Sequence, residues 1–366
     1  MRKKITKYFF FMTRGMTLAA WKANGSLDRE LAFLYALAER NPETEFFVCT
    51  YDADELAIQT PANLKLICQG VKRDGPFSRL LATFYIGFHA AQRCDKFDNV
   101  VYRSNQIDGS WSVIIASVFF SGRRILRCGY VKSVFEWRKR NYIRSVIWGL
   151  YERMSALFFN KIIVASPSDV KRFSLAGVGN DKVFVNPNYI ISPARPIKKE
   201  VFDRLLFVGR LREQKNLFSL IKAVKRAEIG LDIVGEGPCE KDLKELATDI
   251  GADVNFYPSL DYGALSRIYY RRYQYFVLCS HFEGTPKTLL EALAHRCYPL
   301  VSESAIQGLS GFESSAVIID PPSVTAIENG IRNLLGGEIN DSGIDVLLRP
   351  FLLSGFVGRE EDLCLK

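Results

Sequence analysis

From Arg204 onward, short β-branched and aromatic runs alternate with stretches whose apolar residues recur every three or four positions. RLLFVG is followed by a helical period over Asn216 to Glu228, LDIVG by Cys239 to Ile250, YQYFVLC by Pro286 to Arg296, and AVIID by Val324 to Leu335. Repeated strand–helix units predict a parallel sheet with helices on both faces. The first half has the same rhythm, with strands predicted near Ile5 to Met12, Glu45 to Cys49, Asn99 to Arg103, Arg124 to Arg127 and Lys161 to Ala165. Between the halves, NPNYIISPARPIKKE (residues 186–200) carries Pro187, Pro193 and Pro196 without a helical period, which reads as a linker. The predicted organisation is α/β: two doubly wound, Rossmann-like parallel-sheet domains, 1–188 and 202–340, joined by a linker at 189–201. Such a pair is expected to bind ligand in the cleft between its domains, at the carboxyl ends of the strands. The tail, residues 341–366, contains Gly355 and Gly358 and shows a poor helical pattern.

The chain's 366 residues suit two domains, and its 48% hydrophobic and 24% charged content is that of a folded, core-burying protein. No apolar run approaches the ~20 residues of a membrane span. MRKKITKYFFFMTRG resembles a signal peptide in charge but lacks a small-residue cleavage site, and is read as a first strand behind a basic tip in a cytoplasmic chain. Eight cysteines without metal-like spacing read as reduced core thiols, and three scattered histidines as structural. The net charge of +9 points to an anionic partner. Nucleic acid is the weakest choice, because no recognition module or aromatic–basic repeat is present.

Chemistry concentrates in HFEGTPKTLLEALAHRCYPLV, residues 281–301. Pro286 is placed to open a helix with Thr285 as its cap, so that the amides around Thr285 to Thr288 form an anion site at the end of a strand. Leu289, Leu290, Leu293, Ala294 and Cys297 make the buried stripe, which leaves Glu291 off the core face. There it would pair with Lys287, four residues back, or meet a ligand, and Glu283 would face either water or a ligand. A second anion signal, FVGRLREQKN, follows the strand RLLFVG: Gly209 permits close backbone approach, and Arg210 and Lys215 project from the same strand end. Two anion signals in one sheet suit a diphosphate, and carboxylates beside it suit sugar and ribose hydroxyls. Together these groups describe a nucleotide-sugar site.

VGRL, QKN, IVGEGP and EGTPKTLLEALAHRCYPLVS resemble the C-terminal half of the retaining GT-B glycosyltransferases of family 4, including their Glu-x7-Glu motif. The resemblance spans nearly all of residues 202–335. It continues more weakly through TRGMTLAAWKANGSLDRE, VYRSNQIDGSW, LRCGYVKS and IIVASPSDVKRF. It implies that Arg210 and Lys215 neutralise the diphosphate and that Glu283 faces the donor sugar. Gly209, Gly284, Thr285, Pro286, Lys287 and Thr288 would line the donor, Glu291 would hold the ribose, and Gly235 and Gly237 would lie near the base. On the acceptor side it points to Gly15, Asn105 and Asp108; Asp108 also suits an N-cap of the following helix. Where many members carry a histidine, SNQIDGSW has none. The implied reaction is metal-independent glycosyl transfer with retention, without a cofactor beyond the nucleotide-sugar co-substrate, to a saccharide or lipid-linked acceptor in surface polysaccharide or glycolipid synthesis. A nucleotide-sugar epimerase and a non-catalytic nucleotide-sugar-binding subunit are the alternatives.

Residues 136–161, EWRKRNYIRSVIWGLYERMSALFFNK, mix basic with apolar and aromatic residues. They suit either an amphipathic helix lying on an anionic membrane, hence peripheral attachment to the inner face of the cell membrane, or a helix packing its apolar face on the sheet.

Overall fold

The computed structural model describes residues 4–54, 56–69, 76–129, 131–138, 140–175, 177–191, 204–307, 309, 311–337 and 343–366. Most of the predicted linker, from residue 192 on, lies outside them. Contacts divide the chain into two compact units, one of Met1–Ala23, Glu30–Pro187 and Ser354–Lys366, the other of Asn24–Arg29 and Asn188–Leu353.

The first unit holds seven parallel strands: β1 (Lys7–Phe11), β2 (Glu45–Cys49), β3 (Leu64–Ile67), β4 (Val100–Ser104), β5 (Arg123–Cys128), β6 (Lys161–Val164) and β7 (Val183–Val185). Their order is β3-β2-β1-β4-β5-β6-β7. The second unit holds β8 (Arg204–Val208), β9 (Gly230–Val234), β10 (Val254–Tyr257), β11 (Tyr275–Leu278), β12 (Tyr298–Ser302) and β13 (Val317–Ile319), in the order β10-β9-β8-β11-β12-β13. Strands such as KYFFF and GLDIV are buried at every position, as parallel strands covered on both faces must be. The runs expected from periodicity fall on β1, β2, β4, β5 and β6, and on β8, β9, β11 and β13. β3, β7, β10 and β12 lie outside the predicted runs. β7 spans only Val183–Val185, β10 is a half-exposed edge strand, and β12 contains Pro299, which argues against a strand in sequence.

In the first unit one expectation fails and one of two open alternatives is excluded. The tail is helical from Leu353 to Cys364 and belongs to this unit from Ser354 on, where Phe356, Val357 and Cys364 are buried and one polar residue finds buried partners. Glu360 is fully buried, accepting from Arg103 Nε at 2.6 Å, from Tyr8 at 3.2 Å and from Asn186 Nδ2 at 3.2 Å. Burial alone would raise its carboxyl, but Arg103 and Arg127 outweigh that and hold it below the ordinary range. Arg127 is itself pushed down to about 10, by burial first and then by Arg103.

The helix Tyr142–Phe158 does not pack an apolar stripe on the sheet. It buries Ser145, Glu152, Ser155 and Ala156, half-buries Trp148 and Tyr151, and leaves its larger aliphatic residues and Phe158 exposed. Among the described residues no helix is long and apolar enough to cross a membrane.

Candidate functional site

In the second unit β8 and β11 are sheet neighbours although β9 and β10 lie between them in sequence. Chains leaving the carboxyl ends of these two strands diverge, which opens the crevice where doubly wound sheets hold ligands. The loops carrying Gly209 to Lys215 and His281 to Pro286 flank that point. The β9 loop presses against the first of them: Gly209 N–H donates to Val234 at 3.0 Å and Leu211 N–H to Glu236 at 3.0 Å. A Cβ on Gly235 would lie 2.0 Å from the Gly209 carbonyl oxygen, and one on Gly237 would lie 2.3 Å from that of Leu211. Both glycines are therefore required by the close approach of two backbones.

Lys215 closes a short 3-10 turn, Glu213–Lys215, and Asn216 behind it takes a left-handed conformation with φ +56° while its side-chain amide donates to the Pro322 carbonyl at 2.7 Å. This turn aims Lys215 at the second loop, where its Nζ meets Glu283 Oε1 at 2.5 Å in a mostly buried pair. Gln214 braces the same loop, its carbonyl accepting from His281 N–H at 2.9 Å and its side chain donating to the Phe282 carbonyl at 2.6 Å. Arg210 is exposed, and among the described residues it shows no ion-pair partner. Two cations and a carboxylate predicted from segments far apart in sequence are thus adjacent loop residues at one strand end.

The helix after β11 runs Lys287–Ala294, with Pro286 in the cap position and extended backbone. That corrects the expectation of Pro286 as first helical residue with Thr285 as cap: among the described residues no side chain caps this helix. The first-turn amides, which no helix satisfies internally, are therefore left without a side-chain acceptor as well, which leaves a site for an anion. Thr285 is buried and its hydroxyl has no hydrogen-bond partner among the described residues, while its carbonyl accepts from Asn188 Nδ2 at 3.3 Å. Gly284 is exposed, Lys287 and Thr288 are half-buried, and the Lys287 ammonium lies 5.3 Å from the centre of the Tyr189 ring.

Glu291 differs from expectation. It is fully buried instead of standing off the core face, and its partner is not Lys287. Its Oε1 accepts from Arg29 Nη1 at 3.2 Å and its Oε2 from the Tyr270 hydroxyl at 3.2 Å. Burial, then Glu291, pushes the Tyr270 phenol well above its usual range. Arg29 and Glu291 meet within the second unit, to which residues 24–29 belong, and nothing in local sequence signals a partner 262 positions away. Tyr270 ends a π-helical turn, Leu265–Tyr270, and stacks on His295 with centroids 5.2 Å apart. Arg29, Tyr270, Gln214 and Asn188 are the site residues that sequence reasoning missed.

In the first unit the order reverses between β1 and β4, and the predicted acceptor-side residues follow those two strands. Gly15 is exposed with φ +75°, and Asn105 N–H donates to the Phe11 carbonyl at 2.7 Å. Asp108 lies in a 3-10 turn, and the next helix, Ser110–Phe119, is capped by Gly109, not by Asp108. The Asp108 carboxylate instead pairs with Lys132 at 3.1 Å. Among the described residues no three His, Cys, Asp or Glu converge as metal ligands would.

Residues 192–342 match the family described as Glycosyl transferases group 1. A Campylobacter jejuni subsp. jejuni serotype O:2 protein is 27% identical over 169 residues, 44% of this chain and 45% of the relative. It is named GalNAc-alpha-(1->4)-GalNAc-alpha-(1->3)-diNAcBac-PP-undecaprenol alpha-1,4-N-acetyl-D-galactosaminyltransferase. The match thus spans less than half of that relative. Among solved structures, sucrose-phosphate synthase from Thermosynechococcus elongatus superposes with TM-score 0.76 at 16% identity, covering 98% of each chain. Anabaena HepE in complex with UDP and glucose gives 0.70 at 11% identity, covering 98% of this chain and 99% of that one. These likenesses show the fold, two Rossmann-like domains of the GT-B type.

Proposed function

We propose that the protein is a retaining glycosyltransferase of family 4, moving a sugar from a nucleotide-sugar to a hydroxyl of a saccharide or lipid-linked acceptor. The observation that carries this reading is the anion site at the switch point of the second sheet. Arg210 and the Lys215–Glu283 pair stand on the two loops there, and the second loop runs through the buried Thr285, whose hydroxyl has no partner among the described residues, into the uncapped start of the Lys287–Ala294 helix. The match to Glycosyl transferases group 1 covers these residues. The lipid-linked substrate in the Campylobacter relative's name, and UDP with glucose in the Anabaena structure's title, support the two substrate classes.

In the proposed reaction the bond from the anomeric carbon to the diphosphate oxygen breaks, and a bond to the acceptor oxygen forms on the same face of the sugar. The acceptor proton goes to the departing phosphate. Negative charge grows on that phosphate, so preorganised cations and amides beside it supply the largest catalytic contribution. Arg210 and Lys215 carry this role, the amides from Gly284 to Thr288 meet sugar and phosphate, and Glu283, held by Lys215, faces the sugar hydroxyls. Gly209 admits the phosphate to the backbone, with Gly235 and Gly237 shaping the neighbouring base wall. Glu291 binds the ribose by exchanging the Arg29 contact for a hydroxyl. In the first unit Gly15 and Asn105 serve the acceptor. Asp108, neutralised by Lys132, has the weakest claim there.

The test is nucleoside diphosphate release from UDP-, GDP- and ADP-sugars with and without saccharide and undecaprenyl-diphosphate-linked acceptors, followed by the anomeric configuration of the product by NMR. Acceptor-dependent release with retention, unchanged by EDTA, is expected. Inversion would overturn the mechanism, and binding without turnover would make the protein a nucleotide-sugar binder.

A further inference from the structure

The helix Tyr142–Phe158 is amphipathic the wrong way round for a helix that lies on a sheet. Ile143, Val146, Ile147, Leu150, Met154 and Leu157, recurring with the helical period along one side, all face outward, with Ile143 80% exposed. Its inner side is held by polar contacts. Ser145 donates to the Ser133 carbonyl at 2.8 Å, and Glu152 accepts from Ser133 N–H at 3.0 Å and from its hydroxyl at 2.5 Å. A Glu and two Ser inside, with an aliphatic stripe outside, cost stability if the outer medium is water.

The stripe continues on neighbouring helices. Helices Pro76–Ala91, Ser110–Phe119 and Tyr142–Phe158 follow β3, β4 and β5, and the right-handed crossovers of the order β3-β2-β1-β4-β5-β6 place all three on one face of the first unit's sheet. Leu80, Leu81, Phe84 and Tyr85 on the first, and Val118 and Phe119 on the second, are exposed. The Phe84 and Phe119 rings meet at 5.8 Å, and the Trp111 and Tyr151 rings at 6.0 Å, which links the three helices into one surface.

We infer that this surface docks the protein on an anionic lipid bilayer, lying in its interface. Charge selects the occupant. The exposed ionisable side chains of the Tyr142–Phe158 helix are Arg144 and Arg153, with Arg140 just before it, and its one carboxylate, Glu152, is turned inward. Cations bordering an aliphatic stripe, with exposed Trp111, Trp137 and Tyr142 around it, match the headgroup and acyl boundary of an anionic membrane. The helix spans 17 residues and carries these charges, so it lies on the bilayer and does not cross it. This inference does not depend on the proposed activity.

Co-sedimentation with phosphatidylglycerol vesicles and with phosphatidylcholine vesicles tests it on the full chain. The wild type is expected to sediment with the first and far less with the second. The triple variant Ile143→Gln, Ile147→Gln, Leu150→Gln is expected to lose more than tenfold in partition, and Arg144→Glu with Arg153→Glu to lose the preference for the anionic lipid. The substitutions are on the surface, so circular dichroism and nucleotide-dependent thermal shift should be unchanged. Those readouts report on the donor site separately from docking. Absence of the wild type from the phosphatidylglycerol pellet, or equal binding by the triple variant, would overturn the inference. So would a wild-type dimer in sedimentation velocity that the triple variant converts to monomer without any vesicle binding, since the face would then join two copies.

Discussion

A buried hydroxyl without a partner costs about 1–3 kcal/mol, and at Thr285 that cost falls where a ligand would offset it. Thr285→Val keeps the shape and removes the orphan, so its melting temperature should match or exceed that of the wild type while the shift induced by the correct nucleotide-sugar shrinks. A scanning fluorimetry comparison reads both. Lys215→Ala should lower kcat on the order of a hundredfold or more, as loss of one preorganised donor does elsewhere. Because Glu283 would then lose its partner, Lys215→Arg belongs beside it to separate loss of charge from an orphaned carboxylate. Gly235→Ala forces a Cβ to within 2.0 Å of the Gly209 oxygen and should cost about 3 kcal/mol of stability, read by denaturant midpoint, whether or not a nucleotide binds.

At the scale of elements, the C-terminal helix belongs to the first unit through buried Phe356, Val357 and Cys364 and through one buried carboxylate, Glu360. Glu360→Gln leaves Arg103 and Arg127 buried with less compensation, and about 3–5 kcal/mol of destabilisation is expected. The pH dependence follows from the lowered carboxyl. The stabilisation is complete above the unfolded glutamate pKa of ~4.3 and is lost as pH falls through the lower folded value. Melting temperatures measured from neutral pH down to roughly pH 3 should therefore fall more steeply for the wild type than for Glu360→Gln. Parallel curves would mean that Glu360 is not the acid-sensitive group. The start of the Lys287–Ala294 helix works the other way: with no side chain capping it, its amides remain for a ligand.

For the whole molecule, a ligand that binds only the folded chain stabilises it by mass action, about 2.7 kcal/mol at a hundredfold excess over Kd. A panel of UDP-, GDP- and ADP-sugars should give one selective thermal shift, lost in Lys215→Ala. Equal shifts for all three, or none from a folded sample, would remove the donor site from the second unit.

Periodicity alone determined the architecture. Fully buried β-branched runs alternating with amphipathic stretches have few solutions other than covered parallel sheets, and nine strands were legible for that reason. The placement of Arg210, Lys215 and Glu283 on loops at strand ends was legible too, because strand–helix units put such loops at the carboxyl ends of their strands. Strands with weak local signals, such as β12 with its Pro299, appeared only once neighbours completed the ladder. Tertiary structure alone decided which side of a helix meets solvent. The Tyr142–Phe158 helix has an apolar stripe that periodicity alone allows to face either the sheet or a membrane, and contacts to Ser133 hold its polar side inward. Tertiary structure also decided that Glu291 is buried against Arg29 and Tyr270, and that Glu360 draws the tail into the first unit. Each of these rests on a charge whose partner is hundreds of residues away or on another element, where no local pattern extends.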